Sequence, residues 1–483
     1  MLRAWCLSVC LCACSTAALA QSLDDALGGF DGAPLSPAAD AAVAAGNDAS
    51  VIDTAGSHLT GSVALGSSYS YLDHQSANGT QWHGLSKLRT RLNLQMDHRF
   101  SDAWQARVSG YGFYDWAYGV RDRDRFSNEV LDDYQHEADW QEVWLRGKLS
   151  DTLDIKAGRQ VVNWGRADSL RVLDVLNPLD NREPGLTDIE DIRLPVTMLK
   201  TDWFVTQQWH ASLIVIPEVR FSKNPPAGSD FTQAVSQLFA NIGEKKPDTL
   251  DDTQVAASLA GTFSGWDISF HAAQLWRDTP YLHVAGPYSV MMPATVRQQL
   301  SLRHSSMNMF GVGANIIEGG WLLKSELAVL DGVDYTTSTR VFQPGMGMLD
   351  LPNGNDEKMR TDLLLGVEYF GFANTALALE LANRHISDFE QSMEPLYERR
   401  NRLESAVRYT GNFMNDRLEV TALAIAMGER AQEGALLRLQ AAYDLQDALI
   451  LTVGVVDYRR GDLPPFTTIE NNDRVFAELK YSF

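Results

Sequence analysis

Ionisable residues at alternate positions are the first chemistry visible in the chain. Lys87, Arg89, Arg91, Arg99 and Arg107 form a basic strip over two adjacent runs, and Glu142, Asp154, Glu368 and Glu380 occupy acidic positions on other runs. Alternate residues of an extended chain share a face. If these runs line one lumen, Arg89, Arg91, Arg107, Glu142 and Glu368 stand on a transport path. Opposed charge of this kind can orient an amphiphilic or anionic solute at a constriction. The simpler alternative is that any water-lined wall carries charge.

A second candidate is the stretch from Gln160 to Pro195, "QVVNWGRADSLRVLDVLNPLDNREPGLTDIEDIRLP". It is too long for a turn, and Leu170, Val172, Leu173, Val175 and Leu176 are too apolar for a loop held in water. The expectation is a plug and gate, residues 161–196, folded into a mouth or lumen. Its polar residues, Asn163, Trp164, Arg166, Asp174, Asn177, Asp180, Arg182 and Glu183, would then pair with the surrounding wall or meet the transported molecule. "KNPPAGSDF", further on, could act similarly, because paired prolines stiffen a loop.

Enzyme chemistry finds little support. The histidines are scattered, His98 on an apolar face and His136 at a strand start, and no nucleophile elbow is present. "RDRDR", "DIED" and "NGNDE" lack the positional pattern of a calcium loop. The reading is therefore of a non-enzyme with no cofactor and no dedicated metal centre.

The first twenty residues carry Arg3, a short apolar run and Ala18-Leu19-Ala20 before Gln21, the pattern of a secretory signal peptide cut after Ala20. "LCAC" partly matches a lipoprotein processing site at Cys14, but the small-residue ending fits better. All four cysteines, Cys6, Cys10, Cys12 and Cys14, lie in this leader, so the exported chain has no disulfide framework. Loss of Arg3 takes the net charge from −21 to −22, which disfavours a nucleic-acid partner. No apolar run after the leader is long enough for a spanning helix. Residues 21–57, rich in Ala, Asp and Gly, read as a periplasmic linker or second plug.

From 58 to 483 the texture has period two. In "KLRTRLNLQMDHRF", Leu88, Leu92, Leu94, Met96 and Phe100 share one face, and Lys87, Arg89, Arg91, Gln95 and Arg99 share the other. Similar runs place strands near 58–72, 84–99, 103–115, 136–149, 152–160, 197–204, 208–216, 252–261, 265–276, 298–315, 321–330, 358–370, 373–384, 401–410, 416–427, 434–443, 448–458 and 473–483. The links between them alternate, short and then long and polar. This is the arrangement of an all-β transmembrane outer-membrane barrel of about 18 antiparallel strands, or 16 if two of these runs belong to loops. Closure also explains "DRVFAELKYSF": in lipid every backbone group needs a partner, so a last strand ending on Phe483 must pair with the first. Some of the tryptophans near strand ends, Trp82, Trp104, Trp140, Trp144, Trp203, Trp209, Trp266, Trp276 and Trp321, should form interfacial girdles.

"GYGFYDWAYGVRDRDRFSNEVLDDYQHEADWQEVWLRGKLSDTLDIKAGRQVVNWGRADSLRVLDVLNPLDNREPGLTDIEDIRLPV" and "VRFSKNPPAGSDF" carry a further signal. This stretch resembles a family of proteobacterial outer-membrane proteins known mainly as a numbered domain of unknown function, and the resemblance extends over nearly the whole mature chain. It implies an envelope transport role beside outer-membrane lipid. It also implies a periplasmic, lipoprotein-like partner and an inner-membrane exporter of the resistance-nodulation-division superfamily, but no catalytic residues. The expected function is a passive channel for hydrophobic or amphiphilic molecules. The rival expectation is a non-conducting barrel that docks such a complex. Gly110 and Gly112, in one strand, are candidates for a sideways gap in the wall.

Overall fold

Period-two alternation produces the expected wall. The computed structural model describes residues 56–76, 78–186, 192–232, 242–287, 298–343 and 347–483. Eighteen antiparallel strands form one sheet, each paired with its sequence neighbour in the wall, and the first strand, Ser57–Ser70, pairs with the last, Arg474–Ser482. Closure reaches the final residue: Gly61 N donates to the Phe483 carbonyl at 2.8 Å and Phe483 N to that of Gly61 at 2.9 Å. A side chain at Gly61 would meet the Phe483 ring at 2.8 Å, so the terminal aromatic and this glycine fit together. The expected leader, and the segment from 21 up to residue 55, lie outside the described residues.

The start of the first strand, the last residue and the short links gather at one rim, here the turn end; the described parts of the long links gather at the other, the loop end. Leu59, Leu92, Leu94, Met96, Leu363 and Leu365 are exposed on the outer face. Trp203, Trp266 and Trp321 are exposed near the turn end, as an interfacial girdle requires. Trp82 and Trp144 go elsewhere: Trp82 is buried among Tyr118, Phe126 and Val130, and Trp144 lies under Arg107 and Lys156.

Two boundaries differ from expectation. Residues 331–357, expected as a polar loop, continue two strands, Trp321–Gln343 and Gly347–Phe372, into a hairpin that rises above the barrel. The Thr-rich sequence hides its period, but Val333, Tyr335 and Leu349 alternate to its buried side. The run 298–315 is broken. Leu300–Arg303 joins Tyr281–Val284 and Glu244–Lys245 in a small sheet outside the wall, and the wall strand starts at Ser306. Arg277 N bonds the Ser305 carbonyl at 2.7 Å and His304 Nδ1 lies 2.7 Å from the Arg277 carbonyl, which fixes the corner.

Candidate functional site: the filled lumen

The stretch after Gln160 turns into the barrel. Trp164, Leu170, Val172, Leu173, Leu176 and Leu179 are buried in one apolar cluster. Their wall partners in that cluster include Met198, Ile214, Met309, Leu330, Ile425 and Leu436. This corrects the simple picture of an inner face polar throughout: where the plug lies, the inner wall is apolar, because the plug's own apolar residues take the place of water. Gly311 and Gly313 let it come close, since a Cβ at either would collide with Leu173.

The plug's backbone is satisfied by the wall. A lumen segment without regular structure must find partners for its amides. Glu326, on the strand Trp321–Gln343, accepts from Ala167 N and Leu173 N, each at 2.8 Å, and from Arg166 N. Glu380, on Thr375–Ile386, accepts from Asp168 N at 2.7 Å and from Ser169 N and Leu170 N at 2.9 Å. Both carboxylates are fully enclosed. Around them, Lys324 bridges Asp168 and Glu368. Arg384 bridges Asp362 and Glu404, each at 3.0 Å, and donates to the Arg171 carbonyl at 2.9 Å.

The residues expected on the plug find partners one by one. Arg166 pairs with Asp267 and bonds Ser269 at 2.7 Å, and Trp164 packs on His271 with 4.5 Å between ring centroids. Asn163 bonds Gly165 N, and Asp174 receives Arg171 and Arg193. Asn177 ties the neck of the loop, accepting from Val162 N at 2.8 Å and donating to the carbonyls of Gln160 and Leu194. Asp180 and Glu137 both hold Arg182, each at 2.6 Å. Glu183 meets Lys87 at 2.5 Å and Arg89 at 2.9 Å. Burial would raise the Glu183 carboxyl, but Arg89 and Lys87 hold it down to about 2.

The wall residues expected on the path divide by height. Arg89, near the loop end, is occupied by Glu183 and lies over the Phe113 ring. Arg91 lies over Tyr111 and lines a cavity of about 90 Å³ between the plug and the strands on this side. Arg107 and Glu142, nearer the turn end, pair with each other at 3.2 Å, and Arg107 also pairs with Asp97. Glu368 sits apart from them, against Lys324. The charges are thus brought into local pairs.

Above the plug, three loops pack together. Trp82 Nε1 donates to the Gly228 carbonyl, Ser127 Oγ to that of Ala227, and Asp230, within the "KNPPAGSDF" stretch, pairs with Arg474 at 2.9 Å. The wall residues Glu326, Lys324 and Arg384, which do most to hold the plug, were not singled out from the sequence. Their inward register was readable there, but their partners were not.

A family model matches residues 2–483, and its description is Protein of unknown function (DUF1302). The chain belongs to the DUF1302 family. No curated protein matches this DUF1302 chain in sequence. Among solved structures it is similar to Acinetobacter baumannii OccAB1, with a TM-score of 0.51, 10% identity and coverage of 88% of this chain and 96% of that one. It is also similar to OccAB3 from the same organism, with a TM-score of 0.50, 11% identity and coverage of 88% and 99%. These are outer-membrane channel structures, and at such identity the likeness is one of fold: a closed, antiparallel barrel of this DUF1302 member's kind.

Proposed function

We propose that the protein is a passive outer-membrane channel or transporter for hydrophobic or amphiphilic small molecules, gated by the lumen segment 161–196. The observation that carries this reading is the hold of Glu326 and Glu380 on the backbone of residues 166–173, a plug kept by wall side chains within an apolar lumen. Hydrogen bonds and apolar packing are reversible, so a plug held in this way can move. The wall it leaves behind is apolar on one side and charged on the other, which suits an amphiphile. The exposed apolar outer face and the tryptophans at the turn end support placement in the outer membrane, with that end towards the periplasm.

A second reading draws on the same filled lumen: a barrel that conducts nothing and anchors a periplasmic partner and an exporter of the resistance-nodulation-division superfamily. Planar-bilayer conductance of the refolded barrel separates the two. The intact barrel is expected to stay closed, and excision of residues 170–180 is expected to open it. Equal, closed traces from both forms would favour docking.

A further inference from the structure

The wall is not uniform where the plug enters. The ladder between the strands His136–Ser150 and Leu153–Gln160 stops at the Val143–Arg159 pair, although the first strand runs on to His136. Beyond Gln160 the chain has left the wall for the lumen. Gly110 and Gly112, the gap candidates from the sequence, remain in register with Leu94 and Leu92, so the break lies one strand further round.

Side chains continue the seam. Arg159 shares a face with Val143 and hence with the exposed Val108, which puts its stem on the outside of the wall. Its guanidinium donates to Asp139 at 3.2 Å, to the Trp140 carbonyl at 3.4 Å and to Glu218 at 2.9 Å. Asp139 lines the lumen cavity, and Arg220 holds its other oxygen at 2.6 Å. The Arg159–Asp139 pair therefore passes through the wall.

Space lies on both sides of it. Outside, a crevice of about 630 Å³ runs along the seam between Val108, Trp140, Pro217 and Leu250. It continues past the Trp140 ring into a hollow of about 500 Å³ over Gly110 and Gly112. Inside is the cavity at Arg91, Tyr111 and Leu186, which shares Trp140 with both outer spaces.

We infer that this seam is a lateral gate, admitting a single-chain anionic amphiphile of the fatty-acid class between the membrane and the lumen cavity. The crevice is apolar and opens on the lipid-facing side, which suits the chain. The charges at its inner end are Arg159 and its partner Glu218, with Arg220 behind them on Asp139, so two guanidinium groups stand within reach of a carboxylate head. A carboxylate can replace Glu218 on Arg159, so the gate opens by exchange of partners, and the displaced Glu218, which is partly exposed, keeps the Thr197 N–H at 2.7 Å and turns to water. A backbone ladder offers no such exchange. The inference rests on the membrane-channel reading above and adds its substrate class and its route.

The test is photolabelling of the full chain in lipid bilayers with palmitic acid carrying a diazirine on its chain, with adducts mapped by peptide mass. Adducts are expected on the outer side, at Val108 or Trp140, and also on the lumen side, at Tyr111 or Leu186, both competed by unlabelled palmitate. Glu218→Gln, which loosens Arg159 for the incoming carboxylate, should raise lumen-side labelling roughly five-fold, the population change expected from one lost, partly screened ion pair, and Arg159→Ala should lower it. Gly112→Leu should lower labelling on both sides by filling the hollow, and an added Cβ there meets nothing closer than 3.8 Å. Labelling confined to outer residues in every folded variant, or labelling that palmitate does not compete, would overturn the gate. The excision experiment judges the channel separately: a barrel that conducts after excision yet shows no lumen adducts would refute the lateral route alone.

Discussion

The two sides of the lumen hold the same plug by different means. On one side, from Trp266–Trp276 round to Asn401–Phe413, Glu326 and Glu380 bind backbone amides beside a buried apolar cluster, and Lys324 and Arg384 neutralise the surrounding acids. On the other, from Gly84–Arg99 to His136–Ser150, Glu183 and Arg182 are held by charged side chains beside a cavity and an incomplete seam. The first contact loses buried hydrogen bonds with nowhere to replace them. The second can trade partners with water or with a ligand. The difference marks the first side as the anchor and the second as the side that yields.

The sharpest break of this contrast is Glu326→Leu combined with Glu380→Leu. Each substitution strands several plug amides, at about 1–3 kcal/mol per unsatisfied group. The plug should leave the anchored side, giving open conductance and rapid amide exchange over 166–173. Closed traces with unchanged exchange would mean that apolar packing alone suffices.

A control outside the lumen is Leu92→Arg, on the outer face. Near mid-membrane it should lower barrel stability by about 2–4 kcal/mol with no effect on the plug. Denaturant titration in lipid would read the loss; an unchanged midpoint would contradict the outward assignment.

Glu183→Gln should act more gently and on the yielding side alone. It weakens the hold of Lys87 and Arg89, so brief openings should become more frequent while exchange over 166–173 stays slow. Equal loosening of both sides would show the plug to move as one rigid body.

The smallest effect is in pH. The Glu183 carboxyl is held down to about 2, below its ordinary value, so its contribution is fully present above the ordinary carboxylate range. It fades progressively as pH falls from that range through about 2. Opening on the yielding side should therefore be insensitive to acidification from neutral pH to about 5.5 and rise below about 4.5, and single-channel recordings across that range check it. A rise in opening near pH 6.5 would assign the hold to another group.

Much of the wall was readable from the chain. In "KLRTRLNLQMDHRF" alternation alone put Leu92 outward and Arg91 inward, and both stand there. The plug was readable as a contradiction, a stretch too apolar for a watery loop, and Leu173 at 0% exposure resolves it. The long hairpin around Tyr335 was missed because Thr and Ser blur the alternation. Nothing local distinguished Glu326 or Glu380 from any other inward acid.

By itself, then, the sequence determined that the sheet must close and which face of each strand looks outward, because both follow from a repeat of two residues and from the need to pair every backbone group in lipid. Only the tertiary structure decided what the inward residues meet. Glu380 lies 212 residues from Asp168 in the chain, and the ladder's end at Arg159 appears only once the plug has turned inward. Contacts made across a lumen have no period along the strand that carries them, so packing alone brings them together.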